Sequence, residues 1–145
     1  MSDPSKQSPE VMAMSVDWPL IDALRGGTRT MRAQRDAYLP KYGMEPDEKY
    51  DKRLSKATLF PAFTDTVGKM VGRVFCEPSE VGDDVPPFLK DEETGVLDNI
   101  DLQGRNLDVF FGEVFDTALA YGISYVLVDA PPSPNEDGKP VTRAQ

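Results

Sequence analysis

Apolar side chains recur with helical spacing most clearly in the last third of the chain. Leu107, Phe110, Phe111, Val114, Phe115, Ala118 and Leu119 follow the three- and four-residue steps of one helix face. The pattern predicts a helix starting near Arg105 or Asn106. Gly122 ends it, because glycine enters the left-handed conformation of a C′ residue without strain. Phe60, Phe63, Val67, Met70, Val71, Val74 and Phe75 repeat the spacing and predict a second strong helix. Along it Gly68 and Gly72 lie four apart, a spacing that suits close approach by a neighbouring helix. Asp65, Lys69 and Arg73 mark this helix as one bathed in water.

Shorter helices precede these two. Trp18, Ile21 and Leu24 form a stripe behind Asp17, which sits where an N-cap belongs, and Pro19 falls in the first turn, where a missing N–H costs little. Gly26 and Gly27 break or kink the chain. A second helix is expected from residue 28 to about residue 37, with Pro40 beyond it. Asp47 is read as the cap of a third helix, with Tyr50, Leu54 and Ala57 on one side, and Pro61 marks a restart. Phe110, Phe111, Phe115 and Leu119 carry the largest apolar groups and are expected to anchor the core.

Directly after Gly122 the period changes. Residues 123–129, ISYVLVD, are rich in β-branched and aromatic side chains and predict one buried strand, closed by Pro131 and Pro132. No second run of similar character exists to pair with it. A lone strand leaves its backbone N–H and C=O groups unmatched, so its partner is expected in another chain or in further sequence. The fold class expected is mainly α with a little β (α+β), incomplete as an independent domain. Three regions divide the chain: a disordered arm at 1–15, an ordered region at 16–130, and a disordered or truncated tail at 131–145.

Composition sharpens this picture chiefly by exclusion. Apolar residues make up 39% of the 145 positions and the chain holds 13 prolines and 11 glycines, which suits an ordered part with long loops. No run reaches the roughly 18 apolar residues of a membrane span, and the polar N-terminus lacks the core of a signal peptide. One cysteine, Cys76, cannot form an internal disulfide, so a reducing cytoplasm is the expected setting. The net charge of −9 is unevenly placed. Residues 1–76 hold 12 Lys/Arg against 10 Asp/Glu, whereas residues 77–145 hold 4 against 15. An acidic half of that kind repels phosphate backbones and suits a basic protein surface.

Candidate chemistry is sparse. The chain has no histidine, which removes Ser-His-Asp and Cys-His nucleophiles and the usual zinc ligands. No phosphate-binding glycine loop or Cys-x-x-Cys pair is present. Cys76 follows an apolar stripe and reads as a structural thiol. Carboxylates cluster at Asp83-Asp84, Asp91-Glu92-Glu93 and Asp98/Asp101, but on loop-like sequence, where a solvated acidic face is the simpler reading than a metal site. Asp129 reads as the start of a turn. Arg25, Arg29, Arg32 and Arg35 recur at near-helical spacing, and suit subunit-interface or phosphate contacts, salt bridges or plain solvation. The chain is read as non-enzymatic, with no cofactor and no metal.

The order of motifs resembles a phage protein family with a domain of unknown function, described as portal or portal-like proteins of tailed double-stranded DNA phages. The likeness rests on W-x-x-I-x-x-L-x-G (Trp18, Ile21, Leu24, Gly26) and Tyr38-Leu39-Pro40. It continues through Tyr50, Arg53, Leu54 and Leu59-Phe60, then T-V-x-x-x-V-G-R-V-F from Thr66 to Phe75, and ends in YVLVD. It spans roughly residues 11–130. The resemblance implies the helical, wing-like N-terminal part of a portal-type ring at the capsid vertex. It implies a homo-oligomer of about twelve subunits, serving DNA packaging and head-tail joining by assembly.

Its implied partners are terminase, scaffold or capsid proteins, neck proteins, and the DNA that passes through the ring, without membrane contact. The implied setting is the host cytoplasm during assembly and then the virion. Tyr125, Val126, Leu127 and Val128 would supply an inter-subunit or inter-domain strand. Family portals are several times longer, so the stem and clip would follow Gln145, and a fragment is expected. The alternatives are an adaptor or scaffold-binding module of head assembly, and a small metal-dependent phage nuclease using the acidic cluster.

Overall fold

In a computed structural model, residues 6–86, 97–101 and 103–128 are described, and their regular structure is helical. Six α-helices occur among them: α1 (Pro9–Ser15), α2 (Trp18–Arg25), α3 (Gly27–Ala33), α4 (Asp47–Lys56), α5 (Ala62–Val74) and α6 (Leu107–Tyr121). A 3₁₀ turn, Arg35–Ala37, follows α3. The chain is therefore mainly α. Residues 1–5, 87–96, 102 and 129–145 lie outside the described set. With them go the acids Asp91, Glu92, Glu93 and Asp129, and the expected tail.

α2 is the hub of the packing, contacting α1, α3, α5 and α6, while α5 also packs on α6. Ala23 of α2, Val67 of α5 and Ala120 of α6 are the buried positions of these three mutually touching helices. Two of the three are alanines, which lets the helices approach while contributing little buried area themselves. Aromatic edges close the ends. Phe75 meets Phe115 edge-on at 5.8 Å and Trp18 meets Tyr121 at 6.4 Å between ring centres. A second small core forms around α4, where Tyr50 and Leu54 are buried on one face.

The helix ends differ instructively from expectation. Pro9–Ser15 is a helix, not part of a disordered arm, because the Ser8 hydroxyl accepts from the Val11 N–H at 3.3 Å and Pro9 stands where no N–H is needed. Asp17 occupies the N-cap of α2, but its backbone is already helical (φ −90°, ψ −10°), so its carboxylate does not cap the amides. Asp47 lies inside α4 behind an extended Pro46, and its carboxylate pairs with Lys41 instead. Asn106 caps α6 by accepting from the Val109 N–H at 2.9 Å. Gly122 closes α6 with φ +80°.

Other expectations are corrected. Residues 123–128 carry no regular secondary structure, since a strand exists only through a ladder and none is formed with the described residues. The apolar stripe of α5 is covered along one flank only: Val67 is buried and Val71 and Phe75 are half-buried, while Phe60, Met70 and Val74 are exposed. Nothing lies within 4 Å of a Cβ built on Gly68 or Gly72, so among the described residues no neighbouring helix uses that approach. Phe111 points outward and does not anchor the core. Cys76 is exposed, not packed. Among the described residues no helix is long and apolar enough to cross a membrane.

Candidate interaction surfaces

The four arginines do not share a face. Arg25, at the last turn of α2, pairs with Asp116 of α6 and lies 5.8 Å from the centre of the Tyr121 ring. Arg32 donates through Nε to the Ala57 carbonyl at 2.7 Å, holding the end of α4 against α3. Arg35, displaced from the helix by its positive φ of 47°, pairs with Asp51 at 2.7 Å and lies over Tyr50. Arg29 is exposed and has no ion pair among the described residues. Three of the four thus staple the chain to itself, and the Gly26-Gly27 break is the cause, because it rotates Arg29 and Arg32 away from Arg25.

Tyr121 and Arg53 carry contacts that the amino-acid order does not announce. The Tyr121 hydroxyl donates to Asp22 Oδ1 at 2.6 Å, and the Trp18 indole donates to the Tyr121 carbonyl at 3.1 Å. That hydrogen bond to Asp22, with partial burial, pushes the Tyr121 hydroxyl above its ordinary value. Together these bonds and the Arg25–Asp116 pair clasp α2 to the end of α6. The pair is partly solvated, so Arg25→Ala should cost no more than about 1 kcal/mol in urea unfolding. A larger loss would place more of the stability in this clasp than its exposure permits.

Arg53 binds Glu45 through Nε at 3.0 Å and Nη2 at 2.7 Å, and Nη2 also donates to the Pro40 carbonyl at 2.9 Å. Its guanidinium is 4.6 Å from the Tyr42 ring centre and 5.3 Å from that of Tyr50. This geometry fixes the loop between Pro40 and Pro46 onto α4. Arg53 is named in the motif order, but its spacing from Glu45 carries no helix or strand signal by which the pair could be found.

Carboxylates remain dispersed. Asp101 accepts from the Gln103 and Arg105 backbone N–H groups at 2.8 and 3.2 Å and pairs with Arg105 at 2.7 Å, so it organises a turn ahead of α6. Asp108 accepts from the Ser79 N–H at 2.7 Å. Asp83, Asp84 and Asp98 are exposed. No three His, Cys, Asp or Glu side chains converge on a metal-sized site among the described residues. A cleft of about 150 Å³ is lined by Thr28, Met31, Leu39, Leu54 and Leu59, and a larger, shallower hollow of about 440 Å³ is lined by Arg25, Val71, Val109, Glu113 and Asp116.

Glu45 and Asp101, with Glu10, Asp47 and Asp108, are carboxylates that the fold holds below their ordinary range. The Arg53 hydrogen bonds hold Glu45 below the usual range. Burial pushes Asp101 up, but the Gln103 and Arg105 amides and the Arg105 charge outweigh it and leave it lowered. Groups lowered by folding contribute stability above the ordinary carboxylate range and lose it as pH falls through their folded values. Acid titration followed by near-ultraviolet circular dichroism should show that loss, and Glu45→Gln should shrink it. An unchanged acid limb in Glu45→Gln would assign the transition to other groups.

The apolar run after Gly122 stands out of the fold. Tyr125, Val126, Leu127 and Val128 are all exposed, Leu127 and Val128 by 89% and 91%. Four consecutive exposed apolar residues are costly for a monomer and suit a surface that is covered in an assembly. Comparison with protein-family models, curated proteins and solved structures found no match for the chain.

Proposed function

We propose that the chain is a structural subunit, or the N-terminal portion of one, of a portal-type ring at a phage capsid vertex. It serves DNA packaging and head-tail joining by assembly and not by catalysis. The observation that carries this reading is the exposed apolar run of residues 125–128, set directly behind the capped end of the longest described helix. Its β-type side chains suit an extended segment buried against a neighbouring copy, which is where the small β component of the fold would lie. The order of motifs from Trp18 to Asp129 supports the same reading. Under it the partners are further copies of the chain, terminase, scaffold or capsid proteins and neck proteins. DNA passes through the completed ring.

Particle mass tests the proposal. Purified protein should form a closed oligomer of defined mass, visible as rings by electron microscopy. A one-to-one complex with a capsid or scaffold protein would instead favour the adaptor reading. Cleavage of plasmid DNA in Mg²⁺ or Mn²⁺, abolished by Asp91→Ala with Glu92→Ala, would favour the nuclease. A chain that stays monomeric at every concentration and incorporates into no particle would end the portal reading.

A further inference from the structure

The uncovered flank of α5 has a composition that selects its partner. Met70 and Val74 are 50% and 58% exposed and stand one helical turn apart. Beside them Lys69 and Arg73 form a parallel row at the same spacing, exposed and without an ion pair among the described residues. An apolar row edged by unpaired cations fits a segment that is apolar itself and belongs to an acidic body. The run of residues 125–128 meets both conditions. It is uncharged and exposed, and the half of the chain that carries it holds 15 acidic residues against 4 basic.

We propose that the uncovered flank of α5 receives the residue 125–128 run of a second copy. The spacings agree. Four helical residues advance ~6 Å and two extended residues advance ~6.6 Å, so Tyr125 and Leu127 on one side of the run can seat across Met70 and Val74. Within one chain both patches remain exposed, so neither covers the other. Because they are different patches, each copy offers its run to one neighbour and its α5 flank to the next. Such a heterologous contact closes into a ring when the rotation permits. The inference rests on the assembly reading above and names the surface it uses.

Mixing two variants in sedimentation experiments tests it. Met70→Asp with Val74→Asp spoils the flank, and Leu127→Lys spoils the run by facing Lys69 and Arg73 with a like charge. All three positions are exposed, and an unchanged helical circular dichroism signal confirms folding. Lys69→Glu with Arg73→Glu gives a second flank variant. The wild type should self-associate, less strongly at high salt, and each variant alone should associate about a hundredfold more weakly. An equimolar mixture of a flank variant and the run variant should form a heterodimer, since each retains the patch that the other has lost. Continued self-association of the flank variants would mean that the run pairs with itself, and would overturn the proposal. A mixture that contains only monomers, or a monomeric wild type, would overturn it too. The expected heterodimer, found beside a wild type that associates into open chains and never into closed rings, would spare this contact and reject only the portal reading.

Discussion

Tyr50→Ala should destabilise the chain by about 3–5 kcal/mol, the loss typical of a buried aromatic truncated to alanine. Tyr50 is 2% exposed and is the one large side chain fully buried among the described residues. Its ring takes Arg35 and Arg53 at 5.2 and 5.3 Å, and its hydroxyl donates to the Leu39 carbonyl at 3.1 Å. Truncation therefore removes the core of α4 and the platform for both arginines together. Tyr50→Phe keeps the ring and loses only the hydroxyl, so about 1 kcal/mol is expected there. Urea unfolding followed by circular dichroism measures both. Equal losses in the two variants would show that the hydroxyl, not the packed ring, holds α4.

How much of this was legible depended on whether the signal was local. The existence of α4, α5 and α6 followed from periodicity, and Tyr50 and Leu54 were recognisable as the inner face of α4. Gly122 was legible as a stop because its conformation is a local demand. Capping was harder to read. Asp17 and Asp47 have the right chemistry, but Asp17 adopts helical angles and Lys41 claims the Asp47 carboxylate. Ser8 and Pro9 carry a helix-start signal, but no apolar period follows it, so α1 leaves little trace in the residue pattern.

Stripes reveal what is apolar, not what covers it. The α5 stripe is wider than the surface α6 and α2 offer, which is why Val67 is buried and Val74 is not. The fates of the arginines were beyond local reading altogether. Arg25 finds Asp116 across 91 positions, and no spacing rule reaches so far. The expected strand rested on side-chain propensity, and propensity supplies no ladder partner. Its residues are exposed in the single chain for that reason, and the assembly proposal gives their exposure a use.

Gly26→Ala should be the most damaging single-methyl change, at about 1–3 kcal/mol, the usual cost of forcing extra volume into a closed contact. A Cβ at Gly26 would lie 2.6 Å from Thr30 Cβ and 2.1 Å from Thr30 Oγ1. Thr30 cannot swing clear cheaply, because its Cβ is fixed to the α3 backbone and its hydroxyl donates to the Gly26 carbonyl at 2.9 Å. Relief requires α2 and α3 to separate, and α2 is the helix on which α1, α5 and α6 also pack. Gly122→Ala provides the comparison. There the Cβ meets Met14 Sδ at 2.8 Å, the far end of a flexible side chain, and the cost is chiefly the left-handed backbone, about 1–2 kcal/mol. Pairing each change with removal of its obstacle separates the causes. Thr30→Ala leaves a Cβ and should rescue Gly26→Ala only in part, while Met14→Ala should rescue Gly122→Ala hardly at all. Full rescue of Gly26→Ala by Thr30→Ala would mean that the hydroxyl and methyl alone, and not the approach of the two helices, make glycine necessary there.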